Sequence, residues 1–402
     1  MYDLKIFTDN IEGEALNQIY TLVKQPAFSN CKVRIMPDVH AGAGCVIGFT
    51  ADLGNKVIPN IVGVDIGCGM LTVKLGPDPI DFAELDRIIR TYVPSGRAVH
   101  EGNSANYPFL PAFRCFNELR EKEWLERSLG TLGGGNHFIE IDVDSNDNKY
   151  LIIHTGSRNL GKQVADIYQK KAIDKMMGHG RLKALEQELI AEYRSAGRAK
   201  EIAAALEQLK NTYDPNPYKV PKELCYLEGQ DREDYLHDMR LCQEFASMNR
   251  YEIANTIIGH LYGADMAYWG LHSFETVHNY IEFDSNIVRK GAISAKAGEQ
   301  VLIPLNMRDG CILGVGKGNP DWNYSAPHGA GRLMSRSKAK ETIALEDFVA
   351  SMEGIYTTSV GYSTIDESPF AYKPAQEIID YVGETVDVVE ILRPLYNFKA
   401  SE

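Results

Sequence analysis

The chain has 402 residues, enough for one large domain or two to three ordinary ones, and its 44% hydrophobic and 24% charged content is that of a soluble globular protein. A net charge of −13 argues against non-specific duplex binding, which rests on neutralising phosphates. No apolar run is long enough to span a bilayer and no signal peptide is read, so a cytoplasmic protein with no membrane contact is expected.

Residues 1–75 read as short strands joined by Gly, Pro, Asn and Asp turns, with a helix near 15–24. Residues 83–93 and 113–128 are predicted helical. Phe138–Val143 and Tyr150–His154 alternate as strands around the turn Asp144–Asn148. Residues 160–210, rich in Ala, Leu, Lys and Glu, are helical and end at Asp214-Pro215-Asn216-Pro217; a further helix covers about 232–262. Strands return at Val277–Phe283, Val301–Ile303 and Cys311–Val315. A helix follows the glycine turn at 329–331, and helices are expected at 375–381 and 386–392. The pattern predicts a mixed α/β fold, one compact domain over 1–402 with a helical insertion at roughly 160–262.

Seven cysteines are scattered without a disulfide pattern or a C-x-x-C pair, which leaves most of them as small buried hydrophobes. Cys68 differs. In Val64-Asp65-Ile66-Gly67-Cys68-Gly69-Met70 a carboxylate and a thiol stand three positions apart among glycines, a hard and a soft donor able to face one point. His137 follows the glycines 133–135 and opens a strand, His154 closes the next, and His278 begins a third. Each histidine alone also reads as a core or cap residue. With Asp65 and Cys68 they make five donors, enough for two ions if the thiolate bridges. The mixed set admits zinc, manganese, cobalt or iron, and phosphate chemistry favours manganese.

His328 lies among small residues in Pro327-His328-Gly329-Ala330-Gly331-Arg332, where an imidazole could form a phosphoramidate and Arg332 could fork a phosphate; a turn histidine before a helix is the competing reading. Arg158, Lys162, Arg332, Arg336, Lys338 and Lys340 are candidates for a local basic groove. Gly314-Val315-Gly316-Lys317-Gly318 lacks phosphate-loop spacing and reads as a tight hairpin. Tyr372 and Lys399 each belong to an aromatic–lysine pair that could stack on a base and donate to guanine O6, and Glu140 could accept from guanine nitrogens; core tyrosines and solvated lysines are the bland alternative.

Seven strings in order, Met-Pro-Asp-Val-His at 36–40, Val-Gly-Val-Asp-Ile-Gly-Cys-Gly-Met at 62–70, Gly-Asn-His-Phe-Ile-Glu at 135–140, His-Thr-Gly-Ser-Arg at 154–158, His-Asn-Tyr at 278–280, Arg-Lys-Gly-Ala at 289–292 and His-Gly-Ala-Gly-Arg at 328–332, resemble the RtcB family of RNA ligases. The resemblance implies a GTP- and manganese-dependent enzyme joining an RNA 3′-phosphate or 2′,3′-cyclic phosphate end to a 5′-hydroxyl end, in RNA repair or tRNA splicing, with an activating or repair protein as a candidate partner. It implies two Mn2+ held by Asp65, Cys68, His137, His154 and His278, with Cys68 bridging. It makes His328 the nucleophile that takes GMP and places Asp38 and Arg158 near the RNA end. Asn136, Glu140, Tyr372 and Lys399 would contact the guanylate, along with the Gly329, Ala330, Gly331 and Arg332 turn. A metal-dependent phosphohydrolase or cyclic phosphodiesterase on RNA ends is the alternative. The chain departs from the family at 304–310, where Leu305 adds bulk and Arg308 charge, and at 321–327, both expected to flank the nucleotide pocket.

Overall fold

A computed structural model describes residues 3–102, 110–177, 179–214, 216 and 219–400. Its strands are β1 (Asp3–Ile6), β2 (Lys32–His40), β3 (Ile47–Asp52), β4 (Gly69–Gly76), β5 (Phe138–Val143), β6 (Lys149–Thr155) and β7 (Ser273–Val277). The second half of the chain adds β8 (Asn279–Ile281), β9 (Ile287–Lys290), β10 (Ala292–Ser294), β11 (Gln300–Asn306), β12 (Gly310–Gly316), β13 (Ser325–Pro327) and β14 (Val386–Lys399). They form a seven-stranded sheet in the order β11-β12-β14-β5-β6-β4-β7, a five-stranded sheet β1-β2-β3-β9-β8, and the pair β10-β13. The fold is mixed α/β, as expected.

Strand alternation sorts the large sheet into two faces. Leu71, Val73, Ile139, Ile141, Leu151 and Ile153 pack on Leu85 and Ile89 of the helix Phe82–Tyr92 and on Ile253, Ile257 and Ile258 of the helix Gly229–Tyr262. The opposite face carries Met70, Phe138, Ile152, Cys311 and Leu392, together with the buried Glu140. The N-terminal half of Gly229–Tyr262 (Tyr235, Met239, Phe245) packs instead into the core of the five-stranded sheet, beside Leu160, Val164 and Tyr168 of the helix Arg158–Met177. One 34-residue helix therefore ties both cores together. Of the expected helical insertion, Arg158–Met177 and Gly229–Tyr262 belong to these cores, whereas no residue at 181–195 or 202–212 is buried. The helix ends at Thr212; Pro215 and Pro217, read as its terminators, lie outside the described residues.

Four sequence expectations are corrected. Residues 386–392 are not helical: they open β14, whose β-branched Val386, Val388, Val389 and Ile391 suit a pleated strand. Residues 113–128 hold only a 3-10 turn (Phe116–Glu118) and the short helix Lys122–Arg127. The strand expected over 277–283 breaks at His278, the single residue between β7 and β8. Gly314 and Gly316 are not a hairpin but part of β12. There a Cβ on Gly314 would stand 2.4 Å from a Val386 methyl and one on Gly316 2.4 Å from Lys296 O, so the glycines serve close strand packing.

Candidate active site

The large sheet brings the sequence candidates to one end. In its register Met70 and Phe138 both pair with His154, and Gly69 pairs with Thr155 and Val277. Cys68, His137 and His278 each lie one residue outside these pairs. The turn before β4 is shaped by Gly67 at φ +73°, and Gly67 N donates to Asn279 O at 2.8 Å. His278 is pinned from both sides: its N–H donates to Cys68 O at 2.9 Å, and its carbonyl accepts from Gly291 N at 2.8 Å.

Asp65, Cys68 and His137 each place a ligand-type atom within 4.8 Å of the others, and so do Cys68, His154 and His278. Cys68 belongs to both groups. Its Sγ lies 3.5 Å from His137 Nε2 and 3.3 Å from His154 Nε2. Backbone carbonyls orient both rings: His137 Nδ1–H donates to Leu132 O at 2.9 Å and His154 Nδ1–H to Asn136 O at 3.2 Å, which turns each Nε2 toward the thiol. His278 Nδ1 is buried and has no hydrogen-bond partner among the described residues. Burial and neighbouring imidazoles hold His154 and His278 well below the usual histidine range. Burial, with the Asp65 charge, pushes the Cys68 thiol well above its own. Neutral imidazoles and a thiol ready to surrender its proton to a cation make a donor set that fits a divalent ion of borderline softness.

Asp65 accepts from Ser157 N–H at 3.0 Å on Oδ1 and lies 3.0 Å from His137 Nε2 through Oδ2. A Cβ at Gly156 would stand 2.3 Å from that carboxylate, so only glycine fits. Two side chains that sequence reasoning missed hold these loops from the long helix. Asn249 Oδ1 accepts from Gly130 N and Thr131 N at 2.7 and 3.0 Å, and its Nδ2 donates to Thr131 O and Gly156 O. Arg250, fully buried, donates to Gly67 O and Thr155 O at 2.9 and 2.8 Å and pairs with Glu275.

His328 follows β13, and its ring centroid lies 4.8 Å from that of His278. Its Nδ1–H donates to Asp38 Oδ2 at 2.6 Å and its backbone N–H to the same oxygen at 3.1 Å. Asp38 thus clamps the imidazole, a partnership not foreseen from spacing. The approach requires Gly331, where a Cβ would come within 2.3 Å of Asp38 O. Arg158 adopts φ +57° at the start of its helix. Its guanidinium lies under Gly133 and donates to Thr131 Oγ1 and Gly96 O at 3.2 and 3.1 Å.

A cavity of about 250 Å³ opens beside these groups and is lined by His154, His278 and His328. All the other expected nucleotide contacts line it too: Asn136, Glu140, Gly329, Ala330, Gly331, Arg332, Tyr372 and Lys399. Glu367, unremarked in the sequence, organises one wall. It accepts from Lys399 Nζ at 2.5 Å and Tyr372 O–H at 2.6 Å, and pairs with Arg336 at 2.8 Å. Burial alone would raise its carboxyl, but Lys399 and Arg336 bring it down to about 2. Of the other basic-groove candidates, Lys340 lies 3.5 Å from Asp366 and Lys162 pairs with Asp166.

The divergent segments behave differently from each other. Pro304, Leu305, Asn306 and Met307 do line the cavity, while Arg308 turns its charge onto Asp309 at 2.8 Å. Residues 321–327 are not among the cavity lining. Trp322 stacks on Phe7 with ring centroids 3.7 Å apart, and Asp321 pairs with Lys5 and Arg34.

The family model described as tRNA-splicing ligase RtcB matches residues 18–108 and 113–400. The chain belongs to the RtcB family. Among RtcB relatives it is 29% identical to the RNA-splicing ligase RtcB of Escherichia coli K12, covering 95% of this chain and 93% of that one. It is 27% identical to the tRNA-splicing ligase RtcB of Aeropyrum pernix, over 96% and 92% of the two chains. No helix among the described residues is long and apolar enough to cross a membrane.

Proposed function

We propose that this RtcB-family ligase joins RNA 3′-phosphate or 2′,3′-cyclic phosphate ends to 5′-hydroxyl ends, with GTP as the activating nucleotide and His328 as its covalent carrier. The observation that carries the reading is the carboxylate-clamped His328 on a cavity that His154 and His278 also line, with those two histidines grouped with a thiol that a second donor group shares. Asp65, Cys68, His137, His154 and His278 would hold two manganese ions. Bound there, the ions would supply positive charge for the phosphates of the nucleotide and the RNA end.

His328 keeps its proton on Nδ1, against Asp38, so Nε2 has its lone pair free. As Nε2 attacks the α-phosphorus, the P–N bond forms, the α–β bridging P–O bond breaks and pyrophosphate leaves. The ring becomes cationic at that moment, and Asp38 stabilises it. A 2′,3′-cyclic phosphate end is first opened by water at its 2′ P–O bond; the RNA 3′-phosphate then takes the guanylate from Nε2, and attack by the 5′-hydroxyl expels GMP. Glu140 is suited to accept from guanine N–H groups, Tyr372 to stack and Lys399 to donate. Asn136 and the 329–332 turn would complete the pocket, with Arg158 near the RNA end.

Incubation with manganese and α-labelled GTP should leave acid-labile, alkali-stable label on the protein. His328→Ala should abolish the label and retain metal; Cys68→Ala should lose both. Release of inorganic phosphate from RNA ends with no protein label would refute the ligase reading.

A further inference from the structure

Beneath the nucleotide pocket lies a second group of side chains, of which the reading above uses only Glu140. Glu140, Asp142 and Cys311 are all buried, and one ligand-type atom from each lies within 4.8 Å of the others. Glu140 and Asp142 are two apart on β5, so the pleat points both at the same face of the sheet. Cys311 reaches that face from β12, with its Sγ 3.9 Å from Glu140 Oε1. Asp142 is 0% exposed, and neither carboxylate oxygen has a hydrogen-bond partner among the described residues. Its neighbours across the sheet are Pro394 on β14 and Tyr150 on β6.

Two ionised carboxylates cannot face each other in a buried site without a cation or a proton between them. As acceptors they cannot bond; with one proton between them they can form a charge-assisted O–H···O⁻ bond. The surroundings decide which carboxyl keeps the proton. Burial raises the Glu140 carboxyl as well, but Asp142, Asn397 and the Lys399 charge all pull it back down, and Asn397 Nδ2 donates to Glu140 Oε2. No cation acts on Asp142, which burial and the Glu140 charge hold well above the usual carboxylate range.

We propose that Asp142 is a neutral carboxylic acid at physiological pH, donating its proton to Glu140 and so holding Glu140 ionised and aimed as the acceptor that selects guanine. Asp142 is then a positioning residue, acting through Glu140. The proton assignment stands on the buried geometry alone; the guanine role rests on the ligase reading above.

Two substitutions separate donor from charge. Asp142→Asn keeps an N–H donor without ionising, and Asp142→Leu keeps bulk without a donor. Infrared difference spectra of the nucleotide-free protein, wild type minus Asp142→Asn, should show the carbonyl band of a buried carboxylic acid at neutral pH. Absence of that band overturns the proposal. Labelling with GTP and with inosine triphosphate, which lacks the 2-amino group, reads the second half. Asp142→Asn should keep the wild-type preference for GTP, whereas Asp142→Leu should lose about tenfold or more of it, mostly through KM, the size expected when a buried polar recognition group is displaced. Equal loss in both variants means Asp142 works as an anion and refutes the idea. A third equivalent of metal in the wild type, gone in Asp142→Asn, would put a cation where the proton is assigned and also refute it. If Asp142→Leu does not fold, the infrared band and Asp142→Asn still decide. If the wild type takes no label from GTP, the ligase reading falls while the infrared result stands separately.

Discussion

At the scale of single residues, His328 shows how an imidazole is held so that one nitrogen stays free. An imidazole free to rotate presents either nitrogen; one bonded through Nδ1 to Asp38 at 2.6 Å presents only Nε2. Asp38→Asn keeps the volume but can donate back to Nδ1, favouring the wrong tautomer. It should slow protein labelling by about 10²- to 10⁴-fold, the range seen when an orienting carboxylate is lost, with metal content unchanged; single-turnover labelling measures it. The histidines, Asp65 and Cys68 were legible in the sequence because each sits at a strand end, all but His278 close to glycines. Asp38's partner was not, since 290 residues separate it from His328 and no spacing reports such a contact. Glu367 was hidden for the same reason: its partners Lys399, Tyr372 and Arg336 approach from separate segments.

At the scale of elements, the β5–β6 hairpin was readable from alternation and from the turn at Asp144, whose Oδ1 accepts from Asn146 N and Asn148 N. The first turn of β14 was not, because a short run of Val, Glu and Ile suits a helix or a strand and only pairing with β12 decides. The helix Gly229–Tyr262 is buried on several sides, so its Asn249 and Arg250 looked like an ordinary polar face. Asn249→Ala would leave Gly130 N and Thr131 N without their acceptor. At about 1–3 kcal/mol for each orphaned buried group, it should lower the unfolding free energy by roughly 2–5 kcal/mol and weaken manganese binding, read by denaturant melts and metal titration. Trp322→Ala makes the opposite case. Losing its buried stack on Phe7 should cost about 3–5 kcal/mol, yet leave the rate of GTP labelling in the folded enzyme unchanged, because Trp322 packs with Phe7 and Met36 and does not line the cavity.

At the scale of the whole molecule, acid stability should depend on the Glu367 cluster. The ordinary glutamate value is 4.5, and in the folded state Glu367 lies at about 2. A depressed folded value means a contribution fully present above the unfolded value and lost as protons bind the carboxylate. The stability from Glu367 should therefore hold above about pH 4.5 and disappear as pH falls toward 2. Glu367→Gln should flatten the pH dependence of unfolding in that window, measured by chemical denaturation at a series of pH values. An unchanged slope would remove Glu367 from the account.

His278 alone separates β7 of the large sheet from β8 of the smaller one. An ion held through its ring would act as a rivet between the two sheets. Loading the site should then slow amide exchange in both sheets together, and stripping it should let one sheet open before the other. The metal centre would thus govern how cooperatively the molecule unfolds, as well as the chemistry it hosts.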